Sequence, residues 1–183
     1  MDHQIQKIEA LLRQITEIRM EHYVEHELFS YQWWTLLVML IGSWIVWWKL
    51  VDRSRLLELC LVGALVAICA ASLDYIGSTI PLWSYPMRLI PVGTLLPVVD
   101  LSVLPVSYML IVQYFPKCRH YLIASFLQSG AYSFLAEHLL EKMKIYQMIS
   151  WNHWYSFVFY FGISLMVYWI SRRVLQITKN ERT

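Results

Sequence analysis

Charge is what this sequence has least of. Asp, Glu, Lys and Arg make up 15% of its 183 residues, against about a quarter in a soluble domain. A soluble fold of this size needs a charged surface, so the shortage excludes an ordinary water-exposed globule. Cysteine is scarce too. Cys60, Cys69 and Cys118 have neither metal-ligand nor disulfide-framework spacing, which argues against a zinc ribbon or a stapled scaffold. The six glycines never cluster, so there is no phosphate-cradling loop, and no nucleophile elbow is present. Basic patches with interleaved aromatics are missing, so no nucleic-acid partner is expected. No early apolar stretch marks a signal peptide. No cofactor motif is found. His138, His153, Asp74 and Glu137 lack tight ligand spacing, so no metal is assigned to them.

Apolar and aromatic residues fill the gap. Hydrophobic residues reach 58%, with nine Trp and twelve Tyr, rings that favour the membrane–water boundary. The expectation is an all-α fold: a polytopic membrane helical bundle of about five transmembrane helices, preceded by an N-terminal amphipathic helix. A spanning helix needs roughly 20 apolar residues. Segments 31–50, 56–76, 92–115, 121–140 and 151–170 meet that, giving a bundle over 31–170. Pro97 and Pro105 predict a kinked or broken third helix. Pro81, Pro86 and Pro91 make 77–91 an ordered loop, with Trp83 and Tyr85 folded into the interface. Residues 1–30 form the extramembrane helix. Its stripe of Ile5, Ile8, Leu12 and Ile15 suits a partner helix or a second copy. Six acids against Lys7, Arg13 and Arg19 disfavour attraction to an anionic membrane surface. Residues 171–183 are a basic tail.

Lys and Arg set the orientation. Nine fall on one side (Lys49, Arg53, Arg55, Lys117, Arg119, Arg172, Arg173, Lys179 and Arg182) and six on the other. The chain is thus expected in the cell membrane, multi-pass, with its N-terminus outside and its C-terminus cytoplasmic. On that topology Asp74, Arg88, Asp100, Glu137 and His153 all fall in the outer half. A charge at the centre of a membrane helix costs about 2.5–3.5 kcal/mol, so this convergence is the strongest functional signal in the chain. Asp100 is either a functional acid or half of an ion pair with Arg88. Two stripes at intervals of four, Ser125-Ser129-Ser133-Glu137 and Asn152-Ser156-Tyr160-Ser164-Tyr168, should face the bundle interior. The serines suit close helix packing, and the tyrosines suit a cavity wall.

A larger pattern runs through these residues. It reads Asp74-x2-Gly77-x5-Trp83-x-Tyr85-Pro86, then Pro97-x2-Asp100-x4-Pro105-Val106-x-Tyr108, then Glu137, Tyr146 and Trp151-x-His153-x-Tyr155-Ser156-x3-Tyr160. In this the chain resembles a family of small integral membrane proteins of endospore-forming Bacillota. The resemblance covers about residues 31–170. It implies a bacterial plasma-membrane protein and no particular activity. His138 departs from it, standing where proline usually follows the glutamate.

Three readings stay open. The first is a pocket for a membrane lipid or small amphiphile, or a scaffold for a partner. Its ligand-binding candidates are Asp74, Trp83, Tyr85, Arg88, Asp100, Tyr108, Glu137, His153 and Tyr160, with Arg88 suited to a phosphate or carboxylate head group. The second is an intramembrane enzyme acting on a lipid or isoprenoid, with Asp100 and Glu137 as acid and base. The third is an ion or proton path.

Overall fold

The chain is helical almost throughout, although α2 and α7 are rich in aromatic and β-branched residues of modest helix propensity; length and apolarity rather than propensity set these helices. A computed structural model describes residues 2–91 and 96–180. Helix α1 (Asp2–His22) ends in a π-turn, Tyr23–Glu27. Then come α2 (Tyr31–Leu50) and α3 (Leu56–Thr79), followed by a short strand β1 (Trp83–Ser84). A second π-turn (Val99–Val103) leads into α4 (Leu104–Tyr114). Helix α5 (Cys118–Gly130) passes through a third π-turn (Ala131–Ala136) into α6 (Glu137–Lys142). Strand β2 (Gln147–Met148) and α7 (His153–Asn180) close the described chain. The strands pair antiparallel, Trp83 opposite Met148 and Ser84 opposite Gln147.

Three helical stretches are long and apolar enough to cross a membrane: Tyr31–Leu50, Arg53–Thr79 and His153–Val174. That is fewer than the five expected. The third expected span is described as helix only from Pro97, and residues 92–95 lie outside the described region. The fourth is one continuous helical run from Cys118 to Lys142, but Gln128, Glu137, His138 and three serines dilute its apolarity. The fifth does not stop at 170. No Gly or Pro interrupts 171–180, and the expected tail continues α7 to Asn180. Lys179 contributes backbone only to the described structure, and Arg182 lies outside it.

Pro105 explains the break in the third segment. Proline lacks an N–H and its ring clashes with the carbonyl four residues back. The wider turn at Val99–Val103 falls just before it. At the end of α6, Lys144 adopts φ 58°. Its N–H reaches the Glu141 carbonyl (2.9 Å), while Ile145 N–H reaches that of Leu140 (2.9 Å). This is a Schellman stop. It turns the fully buried Ile145 under the bundle, against Leu36, Leu96 and Val98.

The five helical legs alternate in direction, and contacts at each end show it. At one end Gln113 accepts from the Asp52 N–H (2.9 Å) and donates to the Leu50 carbonyl (2.8 Å), while Arg172 donates to the Pro116 carbonyl. At the other, Tyr23 donates to the Leu89 carbonyl (2.7 Å), Gln32 to that of Met143 (3.4 Å), and Ile149 N–H to that of Leu82 (2.9 Å). Between the ends α3 is the central rod. Leu59, Val62, Val66, Ala70, Asp74 and Gly77 line its buried face and meet α4 and α7. Elsewhere the flanks stay apolar and exposed: Val38, Ile41, Ile45, Ile68, Leu127 and Val158 are all open. The stripe of α1 is open too, with Ile8 57% and Leu12 58% exposed.

Lys144 holds a left-handed conformation that costs a side-chain-bearing residue about 1 kcal/mol. Lys144→Gly should therefore raise stability by about that amount, read as a higher melting temperature in detergent.

Candidate functional site

Asp74 lies one turn before the end of α3, 5% exposed. Its Oδ1 accepts from the Trp83 indole N–H (2.7 Å) and the Tyr85 hydroxyl (2.5 Å). Its Oδ2 accepts from the Leu96 N–H (2.9 Å). Local sequence explains the fit. Gly77 sits three residues on, on the same helical face, and a Cβ there would lie 2.0 Å from the Trp83 ring. The glycine leaves the space that lets the indole lie across α3 and reach Asp74. Burial, together with the charges of Asp74 and Asp100, pushes the Tyr85 hydroxyl above its usual range. Tyr85 therefore remains a neutral donor at any physiological pH.

Glu137 forms a second node, 7% exposed. Its Oε1 accepts from the Tyr160 hydroxyl (3.0 Å), and its Oε2 lies 3.2 Å from His153 Nδ1. The π-turn before it has a geometric effect. Positions four apart drift around an α-helix, and the wider turn cancels part of that drift. Ser125, Ser129 and Ser133 are fully buried, and Glu137 continues their line inward. Tyr108 supports the node from behind, donating to the Tyr160 carbonyl (2.8 Å). Asn152 lies outside and caps α7, accepting from the Trp154 and Tyr155 N–H groups.

Between the nodes lies a cavity of about 210 Å³. Of the expected site residues it is lined by Asp74, Trp83, Tyr85, Asp100, Glu137 and Tyr160. Tyr108, His153 and Arg88 are not in its wall. Asp100 is 6% exposed, and its Oδ2 has no hydrogen-bond partner. Among the described residues Asp100 forms no ion pair, so the Arg88 pairing expected from sequence is not made. Arg88 turns the other way. Its backbone N–H donates to Glu27 Oε2 (2.7 Å) and its Nε to the Tyr85 carbonyl (2.9 Å). It braces the loop against the N-terminal segment. Burial and the nearby Arg19 hold its guanidinium below the usual range.

Several wall residues were not singled out as ligand contacts from sequence. Tyr146, Trp151 and Ser156 line the cavity, with Trp151 donating to Ser156 Oγ (2.9 Å). Their place in the motif was the available signal. Leu73, Phe159 and Ile163 also border an apolar groove between α3 and α7, and so form a wall common to the groove and the cavity. No known family model, curated protein or solved structure matches the chain.

Gly77→Ala should displace the Trp83 ring and break its bond to Asp74. The expected cost is about 1–3 kcal/mol, read as a lowered melting temperature in detergent.

Proposed function

We propose that the chain is a five-pass membrane protein that holds an amphiphile between α3 and α7. The polar end would sit in the cavity and the apolar chain in the groove. The observation that carries this reading is the joint wall of Leu73, Phe159 and Ile163. These side chains lie between a carboxyl-bearing chamber and an apolar slot on a flank that would face lipid, so a small shift of them would open one to the other.

The chemistry of the wall limits the head group. Three carboxyls line the cavity and no Lys or Arg does. A phosphate or carboxylate would meet repulsion there, whereas a hydroxyl or amine would meet acceptors. A buried oxygen with no partner is costly unless something donates to it. Asp100 Oδ2 is such an oxygen; a proton shared with the neighbouring Asp74 carboxyl or a donor on the ligand would satisfy it. The sequence pattern supports the same reading, because its residues Asp74, Trp83, Asp100, Glu137 and Tyr160 converge on this one chamber. An enzyme acting on the same amphiphile is a second reading, favoured by Asp100 and Glu137 sharing a wall. An ion path finds less support. Below the cavity Leu59, Val62, Met109, Val112 and Val167 form a dry core.

The acid-rich end would face outward and the basic end the cytoplasm. Arg53 lies over Trp48 (5.6 Å) and Arg173 over Trp169 (5.7 Å), pairings suited to an interfacial belt beside lipid head groups.

Mass spectrometry of lipid retained by the purified protein tests the pocket. One amphiphile with a hydroxyl or amine head should be enriched in wild type and reduced at least tenfold in Asp100→Asn. Equal, unselective bulk lipid in both would sink the reading. Orientation has its own test. With Cys60 and Cys69 replaced by serine, a membrane-impermeant maleimide should label Cys118 in inverted vesicles and not in right-side-out ones. The opposite pattern would reverse the topology.

A further inference from the structure

Beside the cavity, outside its wall, three side chains come together that the spacing of the sequence does not reveal. His138 and Glu141 are three residues apart on one face of α6. His153 opens α7 and faces them. Glu141 Oε2 lies 3.7 Å from His138 Nδ1 and 3.7 Å from His153 Nε2. All three donor atoms fall within 4.8 Å of one another. We propose that His138, Glu141 and His153 bind a divalent transition-metal cation.

The distances suit such an ion. Metal bonds to histidine nitrogen and carboxylate oxygen run about 2.0–2.2 Å, which puts donor atoms of a tetrahedral site roughly 3.3–3.6 Å apart. Glu141 is within a few tenths of an ångström of that spacing from both histidines. His138 must swing in further towards His153. It can do so, because its side chain is 56% exposed and its ring already lies edge-on to that of His153, centroids 6.0 Å apart.

A second observation points the same way. A metal-binding histidine usually gives its other ring nitrogen to a carboxylate, which fixes the tautomer and aims the lone pair. His153 has this arrangement. Its Nδ1 faces Glu137 Oε2 at 3.2 Å, and Glu137 is held in turn by Tyr160 at 3.0 Å. With the proton on Nδ1, Nε2 keeps its lone pair for the metal, 3.7 Å from Glu141 Oε2. Glu137 is therefore a positioning residue for the metal as well as part of the cavity wall. Two imidazoles and one carboxylate suit zinc and its neighbours in the first transition row. They occupy three positions and leave at least one open for water or a ligand atom. His153 and Glu141 are each 27% exposed, so an ion from solution can enter.

The test uses the full chain without an affinity tag, stripped with chelator in detergent. Co²⁺ is titrated and read by its visible absorption, then displaced with Zn²⁺. One ion per chain should bind wild type. His138→Ala and Glu141→Gln should each weaken binding at least tenfold, and neither removes a buried anchor. Glu137→Gln keeps all three ligands but changes what orients His153, and should weaken binding about 10–100-fold with stoichiometry retained. His22→Ala, in the separate His–Glu pairing with Glu27, should change nothing. Circular dichroism confirms that each variant is folded. No saturable binding to wild type, or equal binding in wild type and His138→Ala, overturns the proposal. Neither outcome depends on any retained lipid, so the metal site and the amphiphile pocket stand or fall separately.

Discussion

One carboxylate holds this architecture together. Asp74 accepts from Trp83, Tyr85 and the Leu96 backbone, and each donor lies on a different part of the chain between α3 and α4. The loop from Ile80 to Pro91 is also tied at its ends, by Ile149 N–H on the Leu82 carbonyl and by Tyr23 on that of Leu89, but Asp74 is what draws its middle, Trp83 and Tyr85, inward. An anion in an apolar bundle is expensive alone, and three donors offset that cost. Everything built on the loop follows from this node: the position of Trp83 against Trp151, the placing of Tyr85 in the cavity wall, and the start of the third helical leg.

The other three buried acids, Glu27, Asp100 and Glu137, share a property that Asp74 lacks. Glu27 and Asp100 lie within π-turns, and Glu137 comes directly after one. A π-turn loosens the regular ladder and re-aims the side chains around it. Each acid is thereby turned inward at a point where a straight helix would carry it round to the flank. The three acids then have different fates. Glu27 anchors a loop. Glu137 is held by tyrosine and histidine. Asp100 keeps an oxygen without a hydrogen-bond partner.

Much of the helical layout was legible because apolar runs bounded by charge and proline leave few alternatives. The inward face of the serine stripe was legible too, since small hydroxyl residues at intervals of four have one natural place in a bundle. Three things were not. The π-turns leave no mark that spacing can detect, as the register shift depends on tertiary packing. The meeting of His138 and Glu141 with His153 requires knowing how α6 and α7 cross. The clasp of Glu27 on the Arg88 backbone N–H spans 61 residues, a contact that no spacing along the chain reveals, whereas the Asp100–Arg88 pair that the sequence left open is not made. Length and composition also overstate the fourth leg, where polar residues facing inward dilute a run that is helical throughout.

Trp83 and Trp151 lie with ring centroids 5.0 Å apart at an interplanar angle of 69°, both in the cavity wall. At that separation two indoles do not absorb light independently. Their transitions couple, and the sign and strength of the resulting circular-dichroism couplet depend on the angle between them. Anything that enters the chamber and tilts either ring changes that couplet, so the chamber carries its own optical gauge of occupancy.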